Sequence, residues 1–557
     1  MNSFLSKLRA KTAAISAPRA QRLELLAALG LTAALALMHV VLLFNRGPLW
    51  RDEICSLALA TQPTWGGFWN SLALDPCPPF FFVLLRGWAA MVGHADFALR
   101  LLGFLIGLAC LAAFWMSARL VGRRTPLLCL LLLGMSPNMV IWGDSLRGYG
   151  CGIFWIVLAF GFFWRLAERP TPLVVLGAIA VSLGSVHSLY TNSLLIFACA
   201  MAAAVVCLRR GQLARAALIM SVGAVTALSL LPYLPLFYKT AEWAAFSRIN
   251  FTFFESFWML GFALLGVRYF AFWLWLVLII AGLGTAWRMQ LRKQAATAPA
   301  ATRDLSFYVL LAAGLGFAAT MIFFRLVGWG TNVWYYLPML ALVALSADSS
   351  LDLSGHWKLW PLARVATAAV GIAFSAPLLF KATEIRATNI DFVADVIAKH
   401  ATPNDLVIIW PSADGVTFQR YYQSPNKWLT VPQAAHIPAL PGDDIIAPFR
   451  QPNSLKPIVD QISATLQNGG RVWLASTWPL ELPPEGRLRP VAPLDDQHPH
   501  SVSYFLRGWG YILAAEFRTH AAKCSYIPLP EDQPVSVYEH SHILLFSGWK
   551  EARQAAR

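Results

Sequence analysis

Long apolar runs alternate with short polar loops over about the first two thirds of this 557-residue chain. A membrane-crossing helix needs about 20 consecutive apolar residues. Runs of that kind lie near 23–44, 98–118, 126–143, 149–166, 171–188, 190–208, 213–235, 266–287, 305–324, 333–347 and 360–380, which predicts about eleven spans. The stretch Pro79–Gly93 is apolar but too short, and counting it as a span would invert every later loop. It reads as a helix lying at the outer interface with Arg86 at the water line. From about Thr383 the pattern changes and polar residues return. Asp391–His400 reads as an amphipathic helix, and Asp405–Trp410, Arg471–Ser476 and Ile543–Phe546 read as buried strands. Strands alternating with helices point to a small α/β domain. The fold predicted is mainly α, a polytopic bundle over residues 1–382, followed by a soluble extracytoplasmic α/β domain over 383–557.

Composition and charge sharpen this picture. Charged residues make up 13% of the chain and hydrophobic ones 57%, where a soluble chain is about a quarter charged. A net charge of +15 invites a nucleic-acid reading, but the position of the basic residues argues against it. They fall in every second loop: Arg119, Arg123 and Arg124; Arg165 and Arg169; Arg209, Arg210 and Arg215; Arg288, Arg292, Lys293 and Arg303; Lys358 and Arg364. Such alternation places those loops and the N-terminus in the cytoplasm and the C-terminal domain outside. The opposite loops hold Asp52, Glu53, Asp75, Asp96, Asp144, Glu242 and Glu255. Lys7, Arg9, Lys11, Arg19 and Arg22 precede a first run that is long for a signal-peptide core and lacks a small-residue cleavage site, so it reads as an uncleaved span. The eight cysteines are scattered and form no C-x-x-C, which indicates neither zinc nor a disulfide framework. A bacterial-type inner membrane fits this layout, and the cytoplasmic arginines would meet lipid headgroups there.

Five constellations fall on the outer side. Arg51-Asp52-Glu53 follows the first span; acids this close to hydrocarbon are costly and point to function. Asp75-Pro76-Cys77-Pro78-Pro79 makes a rigid entry into the interfacial helix, since proline is tolerated in a first turn. Asp96–Arg100 opens the next span, and a guanidinium at headgroup level is a natural phosphate partner. Trp142–Tyr149 packs Asp144, Arg147 and Tyr149 into a glycine-flexed turn, where an Asp144–Arg147 pair at i, i+3 is the plain alternative. His187–Asn192 forms another outer turn, with His187 as a candidate binding residue. Acids here can serve as a base or hold a divalent metal ion, and arginines can hold an anionic leaving group. That combination suits transfer from a phosphate-linked lipid.

On these residues the chain resembles the integral-membrane GT-C glycosyltransferases over roughly 25–380. The family 39-like group is meant, which includes protein O-mannosyltransferases and the aminoarabinose transferases of lipid A. The marks are Asp52 and Glu53, the D-x-x-P-P run (Asp75, Pro78, Pro79), Ala98-Leu99-Arg100, the acid-x-x-R-x-Y turn (Asp144, Arg147, Tyr149) and Tyr335-Tyr336-Leu337-Pro338. The resemblance implies that Asp52 is the general base and that Arg100 and Arg147 bind phosphate. Glu53 and Asp144 would orient the acceptor or a metal. Asp75, Tyr149, His187, Tyr335 and Tyr336 would contact substrate. It implies a polyprenyl-phosphate sugar as donor, inversion at the anomeric carbon, and a lipid, glycan or protein as acceptor. Two positions depart from the pattern: Cys77 stands where the family often has histidine, and Tyr335 where many members have arginine. The residues themselves leave two other readings open, a lipid or solute transporter and a membrane scaffold.

Overall fold

The computed structural model describes residues 17–75, 77–123, 125–244, 252–264, 269–291, 299–328, 330–352, 359–433, 443–482, 491–494 and 502–551. Lys7, Arg9, Lys11, Pro76, Arg124, Arg292, Lys293, Lys358 and the side chain of Glu242 lie outside the described residues. The chain divides into two compact units. One comprises Met1–Phe44, Cys77–Pro235 and Asn250–Thr383; the other comprises Asn45–Pro76, Leu236–Ile249 and Glu384–Arg557.

The first unit is a bundle of apolar helices. Eight described helices are long and apolar enough to cross a membrane: Pro18–Asn45, Asp96–Leu120, Tyr149–Glu168, Asn192–Arg209, Leu213–Lys239, Phe270–Leu291, Ala300–Val327 and Trp360–Thr383. The chain is therefore a multi-pass membrane protein. Three further predicted runs are helical but shorter or interrupted. Pro172–Val186 has 15 residues and Leu337–Asp352 has 16. The run at 126–143 breaks into Leu127–Cys129, a π-helical turn at Leu130–Gly134, and Pro137–Gly143. Pro137 offers no N–H and fits only a first turn, so the helix restarts there. Pro79–Val92 is a 14-residue helix, too short to cross alone.

Arg123, Arg210 and Arg364 read from sequence as loop charges, but the structure gives each of them acids. The Arg364 guanidinium, almost fully buried, meets Glu24 at 2.8 Å, Asp348 at 2.5 Å and Asp352 at 3.2 Å. Arg123 also reaches Asp352 at 3.1 Å. Arg210 bridges Glu168 at 2.5 Å and Asp304 at 2.7 Å. A charge in an apolar interior persists only when paired in this way.

In the second unit a five-stranded sheet has the order β2-β1-β3-β5-β4. The strands are β1 Leu406–Trp410, β2 Trp428–Thr430, β3 Val472–Ser476, β4 Ala521–Ile527 and β5 His542–Trp549. β1 pairs parallel with both β2 and β3; β5 runs antiparallel to β3 and to β4. β1 and β3 are buried along their whole length, as parallel strands covered on both faces must be. Alternation along β1 divides the core. Leu406, Ile408 and Trp410 pack with Ile458, Ile462, Phe505 and Trp509 from helices Lys456–Gln467 and Val502–His520. Val407 and Ile409 pack with Ile390, Val393 and Phe418 from helices Ile390–His400 and Gly415–Tyr421. The three strands read from sequence are present, and β2 and β4 join them.

Asp405 staples this sheet at the start of β1. Its carboxylate accepts from the Arg471 backbone N–H at 2.9 Å, Arg471 Nη2 at 2.7 Å, the Thr402 N–H at 2.9 Å and the Trp473 indole at 3.1 Å. Burial alone would raise its pKa, but these hydrogen bonds hold it down at about 2. A carboxylate whose folded pKa is depressed contributes stability above its unfolded pKa, about 3.9, and loses it as the pH falls through the folded value. Unfolding of the second unit should therefore become easier between pH 4 and about 2. Asp405→Asn should be less stable than the parent at neutral pH, and the difference should shrink across that window. Denaturant unfolding of both proteins, followed by hydrogen exchange in β1 and β3, measures it; a difference constant with pH would refute the assignment.

Candidate functional site

The sequence-predicted residues fall into both units. Asp52, Glu53 and Asp75 belong to the second. The first helix ends at Asn45, and Gly47 adopts φ +67, a left-handed conformation that suits glycine. The side chain of Arg386 lies against it; a Cβ there would stand 3.2 Å from Arg386 Nε. Helix Arg51–Ala60 then begins, with Asp52 and Glu53 in its first turn, where the helix dipole favours acids.

The two acids differ in surroundings. The Asp52 side chain is 25% exposed and accepts from Arg51 Nε at 3.1 Å. Glu53 is sealed, and its carboxylate faces the Trp50 N–H at 3.4 Å. Two acids that sequence reading missed complete the cluster. Glu539 accepts from the Arg51 backbone N–H at 3.2 Å and from the Thr417 hydroxyl at 2.6 Å. Asp414 accepts from the Thr477 hydroxyl at 2.7 Å. Burial pushes both carboxyls up, and for Glu539 the neighbouring Asp414 adds to it. Burial disfavours the charge on Arg51, yet Asp52, Asp414 and Glu539 together keep it firmly protonated. Tyr421 ties the same segment: its hydroxyl accepts from the Leu49 N–H at 2.8 Å. Asp75 is buried at the end of the short turn Leu72–Leu74.

In the first unit the turn after Gly143 is the organising feature. Asp144 has a partner in the first helix: His39 Nδ1 lies 2.7 Å from its Oδ2. Both side chains are buried. Helix Asp96–Leu120 makes room for the pair. A Cβ on Gly103 would collide with the Asp144 carbonyl, and one on Gly107 with its carboxylate and the His39 ring. Residues three and seven apart share a helix face, so Arg100, Gly103 and Gly107 present one side to this turn. Arg147 is buried, with Nη2 3.9 Å from the Cys77 sulfur and its guanidinium 5.9 Å from the centre of the Tyr149 ring.

The late motif meets the same turn. Trp334 and Tyr335 each stand 5.9 Å from Tyr149, ring to ring, and Trp142 packs at a tilt against Trp334 at 4.3 Å. Tyr336 is buried, its hydroxyl 2.8 Å from Thr331. His187 also adjoins: a Cβ on Gly148 would come 2.7 Å from the Ser188 carbonyl, and Phe80 N–H donates to the His187 carbonyl at 3.0 Å. Both His187 ring nitrogens are engaged, with Ser229 at 3.1 Å and Tyr233 at 2.9 Å. Arg100, Asp144, Arg147, Tyr149, His187, Tyr335 and Tyr336 thus belong to one neighbourhood, to which His39 and Trp334 are added.

The same unit contains an apolar groove of about 940 Å³. Phe257, Trp258, Phe272, Leu276, Phe317 and Leu340 are among its walls. Gly261 and Gly314 also line it, and nothing lies within 4 Å of a Cβ on either. Among the described residues no group of three or more His, Cys, Asp or Glu could hold a metal ion.

No protein-family model and no curated relative matches the chain. Among solved structures it is similar to ArnT from Cupriavidus metallidurans bound to undecaprenyl phosphate, at 17% identity and a TM-score of 0.47, covering 80% of this chain and 92% of that one. It is also similar to the apo oligosaccharyltransferase of Archaeoglobus fulgidus, at 13% identity and a TM-score of 0.47, covering 80% of this chain and 69% of the other.

The close approach at Gly107 gives two substitutions opposite effects. Gly107→Ala should destabilise the protein by about 1–3 kcal/mol through overpacking against Asp144 and His39. Gly30→Ala, where nothing lies within 4 Å of the new Cβ, should stabilise by about 0.5–1 kcal/mol by stiffening the helix. Melting temperatures in detergent report both; a Gly107→Ala protein that melts no lower than the parent would contradict the packing.

Proposed function

We propose that the chain is an inverting glycosyltransferase that moves a sugar from a polyprenyl-phosphate donor to an acceptor hydroxyl at the outer face of the membrane. The observation that carries this reading is the state of Asp52. Asp52 keeps a quarter of its side chain exposed, while the nearby acids Glu53, Asp414 and Glu539 are sealed. A base must reach its substrate, and Asp52 is the acid placed to do so.

In this reading Asp52 takes the acceptor proton as the hydroxyl oxygen attacks the anomeric carbon. The bond from that carbon to the phosphate oxygen breaks, and the polyprenyl phosphate leaves with the electron pair. One displacement inverts the centre. Glu53 fixes the helix start that carries the base. Arg100 and Arg147 take the charge that develops on the leaving phosphate. Asp144, held by His39, orients the acceptor. Asp75, Tyr149, His187, Tyr335 and Tyr336 are proposed to shape the sugar and phosphate pockets. The apolar groove receives the isoprenoid tail, which has no polar atoms to satisfy. A lipid carrier would use the same groove without turning its ligand over, and that is the alternative.

Transfer from a panel of labelled polyprenyl-phosphate sugars tests the proposal. Asp52→Asn should lower the rate by about 10²- to 10⁴-fold while donor binding is retained. Gly314→Trp should fill the groove and raise KM for long-chain donors, leaving short-chain donors little changed. Full activity in Asp52→Asn would remove Asp52 as the base. Donor binding without turnover, across a panel of acceptors, would favour the carrier.

A further inference from the structure

One wall of the apolar groove is a short helix, Phe253–Ala263. It has 11 residues, too few to cross a membrane. Phe257, Trp258, Gly261 and Phe262 of this helix line the groove. The helix is thinly packed: Phe254, Phe257, Trp258 and Phe262 are all exposed. Its position therefore depends on what holds its ends. At the start it caps itself. The Thr252 hydroxyl accepts from the Glu255 N–H at 3.3 Å, and the Glu255 carboxylate accepts from the Thr252 N–H.

The other end is held from elsewhere. The last carbonyls of a helix have no partner within it. Here the Asn138 side-chain amide donates to the Phe262 carbonyl at 3.1 Å and to the Ala263 carbonyl at 3.2 Å. An amide carries two hydrogens, so one side chain can serve both. Asn138 stands in the first turn of Pro137–Gly143, the helix that leads directly into Asp144. The π-helical turn Leu130–Gly134 and Pro137 set this helix off from the chain before it. With 7 residues it is short and stiff, so a shift at Asn138 reaches Gly143. The same helix carries Trp142, which packs against Trp334 at 4.3 Å. Trp334 belongs to the turn Val333–Tyr336, and that turn packs against Phe253–Ala263. Three elements thus close a ring: the groove wall, the helix of Asn138 and the turn of Trp334 and Tyr335.

We infer that Asn138 is a positioning residue that couples the lipid tail in the groove to the Asp144 turn, so that carrier length is read in kcat as well as in KM. The inference rests on the proposed roles of the groove and of Asp144. A long isoprenoid tail presses on Phe257, Trp258 and Phe262, and their helix hands that support to Asn138 through its last two carbonyls. A short tail leaves the wall, and with it the turn, less well held. Remote parts of a substrate raise kcat when their binding energy orders the reacting centre. Asn138 acts through the wall and the turn, not on the sugar.

The test uses the full-length protein in phospholipid nanodiscs and one labelled sugar carried on farnesyl phosphate or on undecaprenyl phosphate. The wild type should turn over the undecaprenyl donor with a kcat about fivefold or more above that of the farnesyl donor. Asn138→Ala should bring the two kcat values together while the difference in KM remains. Asn138→Gln keeps the amide and should recover part of the kcat ratio. Hydrogen exchange with undecaprenyl phosphate alone needs no turnover. The lipid should slow exchange across 253–263 and 137–143 in the wild type, and across 253–263 only in Asn138→Ala. A kcat ratio that Asn138→Ala leaves unchanged would overturn the inference, as would slowing across 137–143 that persists in that variant. If Tyr149–Glu168 also loses protection, the variant has unfolded and the wild type decides alone. Slowing across 137–143 with undecaprenyl phosphate but not farnesyl phosphate then sustains the coupling, and equal slowing with both refutes it. No slowing across 253–263 in the wild type would remove the groove as the place of the tail, and the inference with it. If exchange behaves as described but no sugar moves, the coupling stands and the transferase reading falls.

Discussion

Charge removed from water has to be met by charge, and much of this structure follows from that demand. In the helical unit Arg364 draws together Glu24 of the first helix and Asp348 and Asp352 of a later one. Arg210 does the same for Glu168 and Asp304, and a His39 ring nitrogen lies within hydrogen-bond distance of the Asp144 carboxylate. Arg364–Glu24, Arg210–Asp304 and His39–Asp144 join segments far apart in sequence. Such contacts add little net stability over apolar packing; what they supply is register, because a slip of one residue would strand a charge in an apolar interior. The same rule governs the second unit, where Arg471 meets the buried Asp405.

The α/β domain and the bundle answer the demand differently. In the bundle, glycines admit polar groups by removing side chains, as Gly103 and Gly107 do for Asp144. In the domain, backbone and hydroxyl donors take up the acids: Thr417 for Glu539, Thr477 for Asp414, and the Arg471 and Thr402 amides for Asp405. The first device positions a turn among helices, and the second lines the end of a sheet.

Much of the fold was legible in the sequence because hydrocarbon imposes a crude and strong pattern. Eight helices coincide with predicted runs. The run at 126–143 read as continuous because its composition is apolar throughout; Pro137 breaks it by geometry, which a hydropathy reading does not weigh. β1 and β3 announced themselves as solid apolar runs. β4 did not: its sequence AAKCSYI is mostly exposed along an edge, so no alternation marks it. Of the candidate site, the acids were visible as acids in loops. Their partners were not. His39 looked like one more residue of an apolar span, and Asp414 and Glu539 looked like ordinary polar residues of a soluble domain. Nothing local connects positions 51 and 539; only the folded sheet does.

That separation has a consequence for the order in which the molecule is made. Arg51 meets the Glu539 carboxylate across 488 positions of chain. Synthesis runs from the N-terminus at about 5–20 residues per second, so the ribosome has built every described span before the partner of Arg51 exists. The bundle is complete in sequence while helix Arg51–Ala60 still lacks its hold. A nascent chain is therefore a membrane protein first and acquires a fixed Asp52 only once Glu539 has been made.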